Sequence, residues 1–226
     1  MDVRLPFCSL VLFALTTSVA SATEIVLTAF EPFGGDPVNN SAEVVSRLGE
    51  LLERPSPRGD QRIVTECILP VEYDRGAAVA LECIQGRKPD LVLSFGAGGC
   101  EVDFETRGHN RDRTYAADNA GVIRDSNSAI IPGAPEYLYF NAPMAAIFEH
   151  AVQYTEAKLA PSEDAGGYVC NNTAYLLAHA FARPNSPTRF GFIHVPPTTC
   201  GSGMADPDLL ARTINDALRA AMPELF

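Results

Sequence analysis

Leu91-Val92-Leu93-Ser94-Phe95, running straight into Gly96-Ala97-Gly98-Gly99, is the stretch whose reading decides the fold. A run this apolar and this short, stopped by a glycine turn, reads as a strand buried on both faces, which is the habit of a parallel sheet covered by helices. The segments before it alternate in period. Tyr73 to Gln85 is helical with an alanine-rich face, and Arg62 to Leu69 is strand-like. Earlier still, Glu24 to Phe30 (EIVLTAF) is a mostly apolar strand ended by Glu31-Pro32-Phe33-Gly34-Gly35-Asp36-Pro37. Val44, Val45, Leu48, Leu51 and Leu52 then recur at helical spacing after Asn40 and Ser41, either of which can cap the helix. Strand, helix, strand, helix, strand predicts a three-layer α/β/α fold with a largely parallel central sheet.

From Cys100 to Pro135 the texture changes to polar residues and turn signals, which reads as an excursion carrying a hairpin. Pro143 to Lys158 is predicted helical through Met144, Ile147, Phe148, Ala151 and Val152, and Asn171 to Arg183 makes the next helix. Arg189 to Val195 (RFGFIHV) is a further strand closed by Pro196-Pro197, and Asp206 to Ala221 is the last helix. With no repeat, linker or low-complexity tract, residues 23–226 read as a single domain.

The start of the chain has the layout of a secretory signal peptide: charged Met1 to Arg4, apolar Phe7 to Leu15, and the small-residue site Ala20-Ser21-Ala22. Cleavage after Ala22 predicts an exported protein, periplasmic or secreted, of roughly 200 residues, a size suited to one domain. No later run reaches the ~18 apolar residues of a membrane span, so a soluble chain without an anchor is expected after cleavage. The formal charge of -11, with no Lys/Arg cluster to offset it, argues against nucleic acid as a partner. Outside the leader stand Cys67, Cys83, Cys100, Cys170 and Cys200. That odd number in an exported chain fits up to two disulfides and a free thiol, and no CxxC spacing points to zinc or redox chemistry.

Ala165-Gly166-Gly167-Tyr168-Val169-Cys170-Asn171 places a cysteine between a glycine turn and a helix. Unpaired N–H groups and the positive end of the dipole at a helix start favour thiolate, which makes Cys170 the candidate nucleophile, although a small buried hydrophobe is the plain alternative. Among the histidines, His150 and His179 fall within predicted helices and His109 in the irregular excursion, whereas His194 ends a strand. Strand C-termini and the following helix N-termini share the ligand-binding edge of a parallel sheet, where Cys170 and His194 would form a thiolate–imidazolium pair. Glu105, just beyond the Leu91–Phe95 strand, is a candidate for orienting the ring, with Glu31, Glu101 and Asp103 as rivals.

Several blocks together resemble the pyroglutamyl peptidase I family. They are Glu31-Pro32-Phe33-Gly34-Gly35 with Asn39 downstream, Leu69-Pro70-Val71 before Tyr73, Asp118-Asn119-Ala120-Gly121, the Cys170 block, and Phe192-Ile193-His194-Val195-Pro196. The resemblance runs from about Ile25 to the last helix. It implies a cysteine peptidase of α/β/α architecture, without metal or cofactor, that removes an N-terminal pyroglutamate from peptides. The implied triad is Cys170, His194 and Glu105; Phe30 and Phe33 would sandwich the lactam ring, with Asn39 beside them, and a homo-oligomer is implied as well.

The chain also departs from the family pattern. Its glycine turn is one residue shorter at Gly96-Ala97, Thr106 follows the glutamate where arginine is common, and Gly167 stands where threonine or a similar residue is usual. The shortened glycine turn, with the oxidation an exposed thiol meets after export, motivates a rival reading, a catalytically silent exported binding protein for pyroglutamyl peptides; a third is a cysteine hydrolase of altered acyl specificity. Asn39-Asn40-Ser41 and Asn171-Asn172-Thr173 are formal glycosylation sequons, discounted because a glycan beside Cys170 would block the cleft. Cys67 and Cys83 are expected to pack in the core. Cys100 and Cys200 both follow strands ending on the active-site edge and are expected to form a disulfide, although either could equally pair with Cys170.

Overall fold

The computed structural model describes residues 22–55, 61–113, 116–124, 128–155, 157–201 and 205–226. The expected leader, Ala22 apart, lies outside them. Eight strands are seen among the described residues: β1 (Thr23–Phe30), β2 (Arg62–Leu69), β3 (Leu91–Ala97), β4 (Val102–Glu105), β5 (Arg107–His109), β6 (Tyr137–Tyr139), β7 (Leu159–Ser162) and β8 (Arg189–Val195). The helices are α1 (Asn40–Glu53), α2 (Arg75–Ile84), α3 (Met144–Ala151), α4 (Val169–Phe181) and α5 (Pro207–Ala221).

The main sheet has the order β2-β1-β3-β8-β4-β7. Strands β2, β1, β3 and β8 are mutually parallel, while β4 runs antiparallel to β8 and parallel to β7. The three central parallel strands are buried almost throughout, which is why their sequences are continuous apolar runs; the edge strand β2 alternates between buried and exposed. Side chains alternate between faces along β8. Gly191 lies against Met144 of α3, whereas His194 lies against Gly96 on the Cys170 side. Helices α1, α3 and α5 pack together on one face, and α2 and α4 on the other.

Differences from the sequence reading have local causes. The cap of α1 is Asn39, one residue earlier than expected: its side chain accepts from Ser41 N, while Ser41 Oγ accepts from Phe30 N. The Cys100–Pro135 excursion is not self-contained. Its first strand, β4, joins the main sheet, and β5 pairs with β6 at residues 137–139, beyond the expected boundary; this two-stranded arm packs on α4. Helix α3 ends at Ala151 rather than Lys158, and the residues after it form β7 at the sheet edge.

Two disulfides are present among the described residues. Cys100–Cys200 is the expected one, with Cα atoms 5.4 Å apart, and it joins the turn after β3 to the loop after β8. Cys67 and Cys83, expected as separate core residues, are instead bonded to each other and tie β2 to α2. Loop-closure entropy grows with the separation of the linked residues, here 100 against 16 positions. Replacing Cys100 and Cys200 by serine is expected to cost about 4.7 kcal/mol, and replacing Cys67 and Cys83 about 3 kcal/mol. Urea midpoints of the two double variants check that order.

Candidate active site

Helix α4 begins at Val169, two residues before the expected start, so Cys170 sits inside the first turn rather than ahead of it. The helices α1 and α5 are capped by Asn39 and Asp206, but Tyr168 at the N-cap of α4 supplies no side-chain cap. Among the described residues, no acceptor engages the N–H groups of Val169, Cys170 and Asn171. These donors and the helix dipole surround Cys170 with positive potential. Its thiol is half-buried and free of both disulfides.

The structure brings His194 to Cys170, as the shared sheet edge requires. A Cβ placed on Gly96 would lie 2.8 Å from Cys170 Sγ and 3.1 Å from His194 Cδ2, so both groups converge over a backbone that carries no side chain. A Cβ placed on Gly98 would likewise lie 3.0 Å from His194 Cγ, and the Gly98 N–H donates to Val195 O. Replacing Gly96 by alanine should therefore push the thiol from the imidazole. A loss of roughly 100-fold in kcat is expected, with a lowered melting temperature because the same Cβ would lie 3.1 Å from Cζ of buried Phe192, and steady-state kinetics well below that temperature beside a thermal melt reads both.

Of the rival carboxylates, Glu105 reaches the ring: its Oε1 lies 2.8 Å from His194 Nδ1. It comes not from a parallel strand end but from antiparallel β4, where it opposes Phe192, so it approaches the ring from deeper in the fold and is only 1% exposed. With Nδ1 committed to Glu105, Nε2 is left for the thiol. Burial pulls the imidazolium's pKa down, but hydrogen bonds to Cys170 and Glu105 and their negative charges outweigh it, raising the value from 6.5 to about 10. Glu31 serves the scaffold instead: its Oε1 accepts from Val71 N and from Asn119 Nδ2. Asp118 accepts from Tyr73 N, Ala120 N and Val122 N. The Glu31, Val71 and Asp118-Asn119 blocks thus brace one another. His109 is held in the arm, its Nε2 beside Glu163 O, and does not face the thiol.

Cys170, His194 and Glu105 open on a cavity of about 270 Å³. Phe30, Phe33, Val71 and Tyr168 form much of its apolar wall. Tyr168, not singled out as a pocket residue in the sequence, faces Phe33 with ring centroids 6.3 Å apart and places its hydroxyl on Ala117 O. Asn39 lines the cavity, yet its Oδ1 caps α1 and its Nδ2 donates to Glu31 O, so one amide N–H is what it has left for a ligand. Gly34 and Gly35, both at positive φ, turn the chain that carries Phe33. Among the described residues no cluster of three or more His, Cys, Asp or Glu is arranged to hold a metal ion.

Both sequons are closed to glycans. Asn39 and Asn171 are buried, and Asn171 bonds His109 N, His109 O and Arg111 O, fastening the arm to the cysteine helix. The departure at Gly167 has a steric reason: a Cβ there would meet Arg113 Cβ at 2.6 Å and its backbone at 2.8 Å.

Comparison with known proteins agrees with this geometry. The profile of the pyroglutamyl peptidase family matches residues 23–224. Pyrrolidone-carboxylate peptidases of Cupriavidus necator and Streptomyces coelicolor are each 33% identical over 204 residues, covering 88% of this chain and 90% of the relative. The crystal structure of Bacillus amyloliquefaciens pyroglutamyl peptidase I superposes with a TM-score of 0.73 at 25% identity, covering 89% of this chain and 97% of that one. A mutant pyrrolidone carboxyl peptidase of Pyrococcus furiosus gives 0.71 at 25% identity, over 90% and 100%. A cysteine, histidine and glutamate aligned under an aromatic-walled cavity, on a fold and a sequence shared along nearly the whole length, place this chain in the pyroglutamyl peptidase family.

Proposed function

We propose that this chain is an exported cysteine peptidase that hydrolyses the bond after an N-terminal pyroglutamate, with Cys170, His194 and Glu105 as its catalytic residues. The observation that carries the reading is the alignment of Glu105, His194 and Cys170 at the floor of a cavity walled by Phe30 and Phe33. The lactam ring packs between the two aromatics with Asn39 beside it. The Cys170 thiolate attacks the acyl carbon, and the oxyanion is met by unpaired N–H groups of the first turn of α4. His194 then gives its proton to the leaving amine as the C–N bond breaks, leaving a thioester. Water attacks that thioester, His194 takes the water's proton, and the thiolate departs with free pyroglutamate as product. Throughout, Glu105 holds the ring at Nδ1.

Export is supported by the leader pattern of residues 1–22 and by two disulfides, which persist in oxidising compartments. N-terminal sequencing of the protein recovered outside the cytosol should begin at Thr23. The activity is tested by fluorophore release from a pyroglutamyl amide, with alanyl and prolyl amides as controls. Turnover of the first alone, blocked once iodoacetamide has labelled Cys170, is the expected outcome. Binding of the pyroglutamyl amide without turnover by the unlabelled enzyme would instead establish the silent binding protein.

A further inference from the structure

Asp103 is the acid of this cleft that the chemistry leaves unused. It sits on the same face of β4 as Glu105, directly opposite His194 in the β4–β8 ladder, and its side chain lines the cavity. Nearby acids have partners. Glu105 holds His194, Asp164 grips Arg113 through both oxygens, and Asp36 bonds Val38 N and Thr198 Oγ1. The Asp103 carboxylate makes no hydrogen bond or ion pair with any described residue. Two cations act on it, the His194 imidazolium opposite, which Glu105 already holds, and Lys158, which is engaged by Glu101; among the described residues no lysine or arginine lines the cavity. Burial raises the Asp103 pKa and the Glu105 charge raises it further, while His194 works the other way. A partly desolvated carboxylate of this kind gains from any cation that enters the cleft.

Its position says which part of a substrate such a cation would belong to. Phe30 and Phe33 take the acyl side, and His194 protonates the leaving nitrogen, so the residue being released lies against the imidazole. Asp103, across the ladder from that imidazole, borders the same residue.

We propose that Asp103 is a specificity-determining residue that recruits a cationic side chain, lysine or arginine, at the position immediately after pyroglutamate. This inference rests on the peptidase reading above. It is tested by kcat/KM on pyroglutamyl-lysyl, pyroglutamyl-alanyl and pyroglutamyl-glutamyl amides at low and high salt. The lysyl substrate should exceed the glutamyl one by roughly tenfold at low salt, with the ratio shrinking as salt is added. In Asp103→Asn and Asp103→Ser the ratio should fall to near one. Cleavage of the alanyl substrate with a wild-type ratio near one overturns the inference and leaves the peptidase reading standing. A uniform loss on all three substrates in Asp103→Asn, with the ratio kept, also overturns it and assigns Asp103 to the imidazolium's charge. Failure of all three amides to be cleaved removes the peptidase reading, and this inference with it. The wild-type ratio needs no variant, so a ratio near one overturns the inference even if either variant folds poorly.

Discussion

Cys170→Ala is expected to reduce turnover of a pyroglutamyl amide by roughly 10⁴- to 10⁶-fold while binding of a pyroglutamyl peptide is retained. The two effects separate because the apolar wall is built by other residues, Phe30, Phe33, Val71 and Tyr168, none of which depends on the sulfur for its place. The folding cost should be within about 1 kcal/mol, since a half-buried thiol loses one atom and leaves no orphaned backbone group. What changes is the imidazole. Burial disfavours its charged form, and with the cysteine gone that is opposed by Glu105 and the charge of Asp103 without the thiolate, so His194 should titrate below its wild-type value of about 10. Calorimetry with an uncleaved pyroglutamyl peptide, beside a sensitive turnover assay, reads both halves. Residual turnover within a hundredfold of wild type would mean that another nucleophile acts.

How far the site was legible in the sequence depended on strand direction. The parallel strands β1, β3 and β8 could be read because burial on both faces forces continuous apolar runs, the edge strand β2 because it is rich in β-branched residues, and β2 and β8 fall on the expected residues. β4 and β7 could not. Val102-Asp103-Phe104-Glu105 carries two acids because one face of it lines the cleft, and Leu159-Ala160-Pro161-Ser162 tolerates a proline because it is an edge strand. Their antiparallel insertion sets Asp103 level with His194 and Glu105 two residues deeper. Sequence spacing alone left those carboxylates as rivals, and the ladder register separates them. Cys170 and His194 were easier, because a helix N-terminus and a strand C-terminus on one edge meet whatever lies between them in sequence. The Cys67–Cys83 bond was hidden for the opposite reason: both residues sit in apolar surroundings that look the same whether bonded or not.

Glu105→Gln is the sharper test of how the pair is held. The substitution keeps the shape of the side chain and removes its charge, in a place where Glu105 is almost fully buried and its Oε2 has no partner among the described residues. An amide offers Nδ1–H an uncharged acceptor or, turned over, presents a donor that forces the wrong tautomer. A loss of roughly 10²- to 10⁴-fold in kcat is expected. The pH profile should move with it. In the wild type, burial lowers the imidazolium pKa but the cysteine and the glutamate together raise it above its ordinary value, so the proton needed by the leaving amine is present at neutral pH and is lost as pH rises through about 10. The same raised pKa contributes stability that is fully present below about 6.5 and disappears through that alkaline range. Without the Glu105 charge, burial is opposed by Cys170 and the charge of Asp103, so the alkaline limb of kcat/KM should shift to lower pH and the stability contribution at neutral pH should shrink. A buried amide with an unmet N–H costs a further ~1–3 kcal/mol, so rates must be taken well below the variant's melting temperature. An alkaline limb that stays near pH 10 in Glu105→Gln would show that the cysteine by itself holds the proton on His194, and Glu105 would then be a packing residue of β4 rather than the group that orients the ring.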